Sequence, residues 1–388
     1  MSDGMNRANA PNGKNAEAPP AARTLGQLHL EGERSRAARM VLRSRDDDKW
    51  VELPAWRFYR QVIRIALFLR ERLGVAPGDR VLVVSPLRTE RIVAEWAIVT
   101  LGAATVAADL DLPQEALASL LAAISPKAAF VADETDRGRL LGHPSSPMAD
   151  RIVVLGAGGT RPESKTWLEA LDLGGTLDTA ERAQMFRQDA RAIQPELPAV
   201  GYHERANGSP LTILSHAEVV RRLRSFWSRV PPRDGDRAYI TGGRSVSPLC
   251  LPLWAFAADG RTSTTLGTPG RESEEIAQLR PHLHVLSPDL DSQVRRDGVL
   301  HAPHDEEPTT AARLLGRIPI VGRFSERLIA RAAAGVGTRT ETAEASSGLG
   351  TLLNRLLPRV AGTPAGDSLR GVLTFEGTDL QSEKRRFQ

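Results

Sequence analysis

Cysteine is all but absent from this chain. Cys250 is the only one in 388 residues, so an intramolecular disulfide is excluded, and with no second cysteine there is no thiolate metal cluster. A lone thiol fits a reducing cytoplasm, where it reads as a buried structural side chain. Long apolar runs are absent as well: charge or proline interrupts each one well short of the roughly 20 residues that a bilayer crossing requires. No transmembrane segment is therefore expected. Residues 1–23 are rich in Ala, Asn, Pro and Gly. They hold no apolar stretch long enough to act as a signal and read as a flexible leader. A dominant charge is missing too. The chain has 51 Lys and Arg against 47 Asp and Glu, a net charge of +4, with basic residues spread beside acidic ones. That pattern is a solvated surface. Nucleic acid demands a concentrated basic stripe with aromatic residues nearby. Only Arg221, Arg222 and Arg224 with Phe226 and Trp227 approach one, and no nucleic-acid partner is expected.

What the chain does have is enough apolar material, 41% of residues, to bury a large core over a length that permits two or three domains. Val62, Ile63, Ala66, Leu67, Leu69 and Leu73 recur at helical spacing and predict an amphipathic helix stopped by Gly74. Residues 81–84 form a short β-branched run between Asp79-Arg80 and Ser85-Pro86, the signature of a strand buried on both faces. Residues 92–101 read as the next helix. Further strand candidates at residues 105–107, 128–131 and 152–155 alternate with helical patterns. The fold class is therefore α/β, a parallel sheet covered by helices.

These stretches, taken in order, resemble the opening of long-chain acyl-CoA synthetases, a branch of the adenylate-forming (AMP-binding) superfamily. The family's L-G-V-x-x-G-D-R-V step from helix into strand recurs at residues 73–81, Gly102-Ala103 stands before the second strand, and Lys49-Trp50 suits the long-chain subgroup. Residues 236–240 and 247–260 resemble the family's strand and L-P-L-x-H segment, residues 280–288 its R-P-T step, and residues 369–387 its L-R-x-x-x-S-G-G-A-P-L stretch. The resemblance implies the large N-terminal domain of such enzymes without their small C-terminal domain. It divides the chain into two α/β subdomains, residues 24–198 and an incomplete 199–388, with an exposed flexible loop at 341–350.

Residues 202–216, YHERANGSPLTILSH, resemble the family's phosphate-gripping loop, Y-T-S-G-T-T-G-x-P-K-G-V-x-L-S-H. The frame is kept at Tyr202, Gly208, Pro210, Leu214, Ser215 and His216. The resemblance makes Tyr202, Arg205, Gly208, Ser209, Pro210 and Ser215 the candidate nucleotide-contacting remnant. Its core is replaced by His203, Glu204, Arg205, Ala206 and Asn207, and the run is one residue shorter at the Lys. Such a loop grips phosphate because glycines turn backbone N–H groups toward the oxygens, hydroxyls add donors and a lysine adds positive charge. Glu204 opposes this, because a carboxylate beside a triphosphate meets like-charge repulsion. Arg205 can reach phosphate only by a different geometry. The His that follows L-P-L in the family is also replaced, since Leu251, Pro252 and Leu253 lead into Trp254. The family's Y-G-x-T-E, T-G-D and lysine-bearing segments do not occur in these 388 residues.

The expected function is that of a catalytically inactive AMP-binding, acyl-CoA synthetase-like module engaging an acyl group or a partner protein. No cofactor, catalytic residue or metal ligand is expected. The alternative is long-chain fatty acid–CoA ligase activity, adenylation with ATP and magnesium and then thioester formation, retained only with a complementing chain. Oligomerisation is left open.

Three other patterns have plainer readings. Gly156, Gly158 and Gly159 after an apolar strand fall short of G-x-G-x-x-G, with Pro162 near the expected helix start, and read as a turn. His282 and His284, two apart on a strand, point the same way, but no third ligand is spaced to join them. Ser215 and His216 are sequence neighbours, which rarely form a nucleophile–base pair, and read as a helix start.

Overall fold

The computed structural model describes residues 22–36, 40–46, 49–109, 112–156, 161–202, 211–229, 231, 233–241, 262–268, 270–286 and 371–374. The expected leader up to residue 21, the loop at 341–350, Cys250 and the L-P-L-W segment lie outside the described residues.

The chain opens with helix α1 (Leu25–Arg36) and a hairpin of strands β1 (Met40–Asp46) and β2 (Lys49–Pro54). Helix α2 (Ala55–Leu73) follows. Its predicted apolar stripe is buried at Val62, Ile63, Ala66, Leu67, Leu69 and Leu73, while Arg57, Arg60 and Arg72 are exposed. Gly74 ends it in the left-handed region at φ 62°, donating its N–H to the Arg70 carbonyl at 3.1 Å. A residue with a Cβ would be strained in that conformation.

A seven-stranded sheet is then assembled from β3 (Arg80–Val84), β4 (Ala104–Ala108), β5 (Ala128–Val131), β6 (Ile152–Val154), β7 (Lys165–Thr166), β8 (Pro198–Tyr202) and β9 (Thr212–Ser215), in the order β7-β6-β5-β3-β4-β8-β9. Every neighbouring pair is parallel except β8–β9. Between the strands run helices α3 (Thr89–Thr100), α4 (Gln114–Ile124), α5 (Glu134–Leu141), α6 (Trp167–Leu177) and α7 (Ala180–Ala192). Strand periodicity assigns the faces. Val81, Val83, Phe130 and Val153 join a core with α2, α3 and α6. Leu82, Val84, Val131, Ile152 and Val154 join a second core with Leu117, Leu120 and Leu121 of α4 and Leu140 of α5. Burial on both faces explains why these strands read as unbroken apolar runs.

A six-stranded sheet combines β1 and β2 with β10 (Arg237–Thr241), β11 (Ser263–Leu266), β12 (Leu283–Leu286) and β13 (Gly371–Thr374), in the order β13-β12-β10-β11-β1-β2. Helix α8 (His216–Arg229) leads into this sheet, and α9 (Glu272–Leu279) connects β11 to β12. The two sheets share the chain across residue 199. Strand β1 pairs with β11 through Leu42 opposite Thr264, and the hairpin β8–β9 stays with the first sheet. The mixed α/β architecture of helix-covered, largely parallel sheets agrees with the sequence reading. The two antiparallel hairpins, β1–β2 and β8–β9, add to it.

Candidate functional site

Strand β8 is buried at Ala199 and Val200 and lies beside β4 with Thr105 opposite Val200. It ends with Tyr202 at the carboxyl end of a parallel sheet, where ligands of open α/β folds bind. The sequence reading places the loop between a strand and a helix. The structure inserts β9, which returns antiparallel with Tyr202 opposite Thr212. Residues 211–215 are too short and too mixed in polarity to announce a strand. Of the expected nucleotide-contacting residues, Arg205, Gly208, Ser209 and Pro210 lie outside the described residues, as does the side chain of Tyr202. The backbone places Tyr202 at the mouth of the hairpin. Ser215 lies at its base, opposite Pro198. Three residue steps along β9 take the chain from Thr212 to Ser215, a span of about 10 Å. There the Ser215 hydroxyl accepts the Glu218 backbone N–H at 3.3 Å and caps α8.

His216 follows directly and is fully buried. Its backbone N–H bonds the Leu197 carbonyl at 3.0 Å, and its Nδ1 accepts the N–H of Leu25 in α1 at 3.4 Å. Burial holds its pKa down to about 4, so the ring is neutral at pH 7. The neighbouring basic cluster is occupied by structural contacts. Arg222 bonds Glu218 at 2.9 Å, Arg224 donates to the Ala22 carbonyl, and Phe226 is buried in the core. Arg221 and Arg224 are exposed, and Arg221 lies 3.6 Å from Glu218.

The histidine pair at 282 and 284 is divided by its surroundings. His282, just before β12, faces the Asp236 carboxylate at 3.3 Å and accepts the Arg237 N–H. His284 is buried edge-on to Tyr239, with ring centroids 5.4 Å apart, and burial lowers its pKa to about 4. No group of three or more His, Cys, Asp or Glu able to hold a metal occurs among the described residues. Gly156 leads out of β6 against the Ala132 carbonyl, to which its N–H donates at 2.9 Å. Residues 157–160 lie outside the described residues.

Sequence reasoning passed over a buried polar cluster in the six-stranded sheet. Glu275 of α9 is wholly enclosed, accepts the Tyr239 hydroxyl at 2.7 Å and the Thr268 N–H at 3.0 Å, and faces Arg45 of β1 at 3.6 Å. Nothing in the run ESEEIAQL marks which glutamate turns inward, because Glu272, Glu274 and Glu275 are alike in sequence. The Arg45 contact joins segments more than 200 residues apart. An open surface groove of about 550 Å³ lies at the opposite edge of the seven-stranded sheet from the β8–β9 hairpin, lined by Asp150, Pro162, Lys165, Glu169, Leu173 and Thr176 among others. Its position separates it from the candidate loop.

Residues 37–200 match the family described as AMP-binding enzyme. That match runs from the β1–β2 hairpin into β8. No curated protein matches the chain. Among solved structures, a luciferase-like enzyme from the mealworm Zophobas morio is 19% identical, with a TM-score of 0.57 over 72% of this chain and 62% of that one. Coronafacic acid ligase from Pectobacterium brasiliense is 14% identical, with a TM-score of 0.57 over 73% of this chain and 53% of that one. A candidate long-chain-fatty-acid CoA ligase from Rhodopseudomonas palustris is 17% identical, with a TM-score of 0.54 over 68% of this chain and 62% of that one. The chain thus spans less than two thirds of each of these structures. Such likenesses concern the fold: residues 37–200 are similar to AMP-binding enzymes, and the architecture matches the N-terminal domain of adenylate-forming enzymes.

Proposed function

We propose that this chain is a catalytically inactive, acyl-CoA ligase-like module that engages an acyl group or a partner protein without binding ATP. The observation that carries this reading is the content of the loop between β8 and β9. Strand β8 ends at Tyr202, at the carboxyl end of the sheet, and β9 begins at Thr212. Between them the sequence carries His203, Glu204, Arg205, Ala206 and Asn207 instead of a run of glycines and hydroxyls. Gly208 alone retains free backbone rotation, and the Glu204 carboxylate repels a triphosphate. Each preorganised donor removed from a phosphate or oxyanion site costs about 100- to 1,000-fold in rate, so loss of most of them together leaves little chemistry. The reading carries a cytoplasmic location and a link to fatty acid metabolism with it.

Calorimetric titration with ATP and magnesium, and separately with a fatty acyl-CoA, tests the reading. Heat with the acyl ligand and none with nucleotide is the expected result. Micromolar nucleotide binding overturns it and favours long-chain ligase activity completed by a second chain. A gain of nucleotide affinity on replacing residues 203–207 by Thr-Ser-Gly-Thr-Thr would show that loop content, not the scaffold, is responsible.

A further inference from the structure

We propose that α1 is an acid-releasable strap, held on the body of the seven-stranded unit by two neutral histidines, His216 at its first turn and His29 at its centre. Both rings are buried, His216 fully and His29 to 2% exposure, and the Nε2 atom of each has no hydrogen-bond partner. His216 Nδ1 accepts the Leu25 N–H, so the ring proton resides on Nε2. Adding a second proton removes that acceptor and places a cation at the N-termini of both α1 and α8, where the helix dipole disfavours positive charge. His29 sits in an aromatic cage, with ring centroids 4.9 Å from Tyr59, 5.7 Å from Trp96, 6.3 Å from Phe58 and 6.5 Å from Phe186.

The groups facing His29 are Glu33 of α1 itself, Arg187 of α7, and the Tyr59 phenol of α2, while α3 presents Trp96. Burial is the main reason its pKa falls to about 4, with Glu33 drawing it up and Arg187 pushing it down. His216 meets the backbone of α1, and burial alone depresses it to about 4. The other attachments of α1 do not titrate in the same range. Burial pushes the Glu33 carboxyl up, but Arg187, bonded to it at 2.9 Å, outweighs that and holds it below the usual range. Gln27 donates to the Arg191 carbonyl at 3.1 Å, and Arg224 to that of Ala22. Gly26 rests so closely on Ala190 that a Cβ there would collide with its carbonyl, so the strap is tightly seated at neutral pH.

Both histidines have docked pKa values below the free value of 6.5. Docking is therefore strongest above pH 6.5 and weakens as pH falls toward 4. At pH 5.5 each contributes about a tenfold loss of docking, about 100-fold for the pair. Release uncovers the face formed by Phe58, Tyr59, Trp96 and Phe186.

Hydrogen exchange of the full chain at pH 7.5 and 5.5, corrected for the intrinsic pH dependence of exchange, tests this. Protection of α1 is expected to fall about 100-fold and to lie well below that of β3 and β4 at both pH values, as release of the helix alone requires. His216→Asn, whose Oδ1 replaces the Nδ1 acceptor without titrating, should reduce the fall to about tenfold, and adding His29→Phe should abolish it. Unchanged protection of α1, protection of α1 equal to that of β3 and β4, or an undiminished fall in His216→Asn overturns the proposal. The single asparagine variant suffices if the phenylalanine variant fails to fold.

Discussion

At the centre of the seven-stranded sheet Leu82, Val83, Phe130 and Val153 are buried among apolar neighbours on both faces, whereas the six-stranded sheet encloses Tyr239, Glu275, His284 and Thr264. Both sheets share one apolar core, which takes in Leu42, Ile240, Leu266 and Val285 of the second, but the second adds a buried carboxylate held by polar contacts. Apolar burial is non-directional and tolerates small shifts of its partners. A buried carboxylate is tolerated only while its hydrogen bonds and countercharge stay in place, because an unpaired buried polar group costs far more than a paired one gains. The second sheet therefore depends on α9 and on β1, which reaches it from the other end of the chain.

The largest expected effect tests the apolar sheet. Phe130 is fully buried and packs edge-on to Trp167, centroids 6.4 Å apart. Phe130→Ala should cost about 3–5 kcal/mol in denaturant unfolding. A loss under 1 kcal/mol would mean that this sheet is not the close-packed part of the molecule. Next comes His284. Its folded pKa of about 4 lies below the free value of 6.5, so the stability it confers is full above pH 6.5 and is lost as pH falls to 4. The total is about 3 kcal/mol. The unfolding midpoint of wild type should fall over that window more than that of His284→Phe. Parallel pH curves would contradict the assignment of burial to this ring.

Glu275→Gln keeps an oxygen for Tyr239 and Thr268 but removes the charge facing Arg45. It should cost about 2 kcal/mol. A double-mutant cycle with Arg45→Met should show coupling, and additivity would mean that the hairpin is not held through this pair. The smallest effect lies at the edge of the first sheet. Thr166 caps α6, accepting the Glu169 N–H at 3.2 Å while Glu169 accepts the Thr166 N–H at 2.7 Å. Thr166→Ala should cost about 1 kcal/mol, measurable by thermal unfolding.

The same contrast explains what could be read before any coordinates. Strands read at 81–84, 128–131 and 152–155 stood out because each is buried on both faces, which leaves an unbroken apolar run flanked by polar turns. The stop at Gly74 was legible because a left-handed residue ending a helix favours glycine. Strands β2 and β9 were not, since an edge position leaves their sequences mixed, as in KWVELP and TILS. The candidate loop at 202–216 was recognisable by residue type. That Ser215 serves as a helix cap at the far end of a hairpin required the pairing of β8 with β9.

By itself the sequence determined the helix-covered parallel strands, the lack of an intramolecular disulfide within these 388 residues and the residue content of positions 203–207, because each follows from local periodicity or from residue identity alone. Only the tertiary structure decided which of three similar glutamates in α9 is buried, that β1 completes a sheet with β11, and that His29 and His216 both hold α1. Those outcomes depend on contacts between residues far apart in the chain, whose energies arise only once the segments meet.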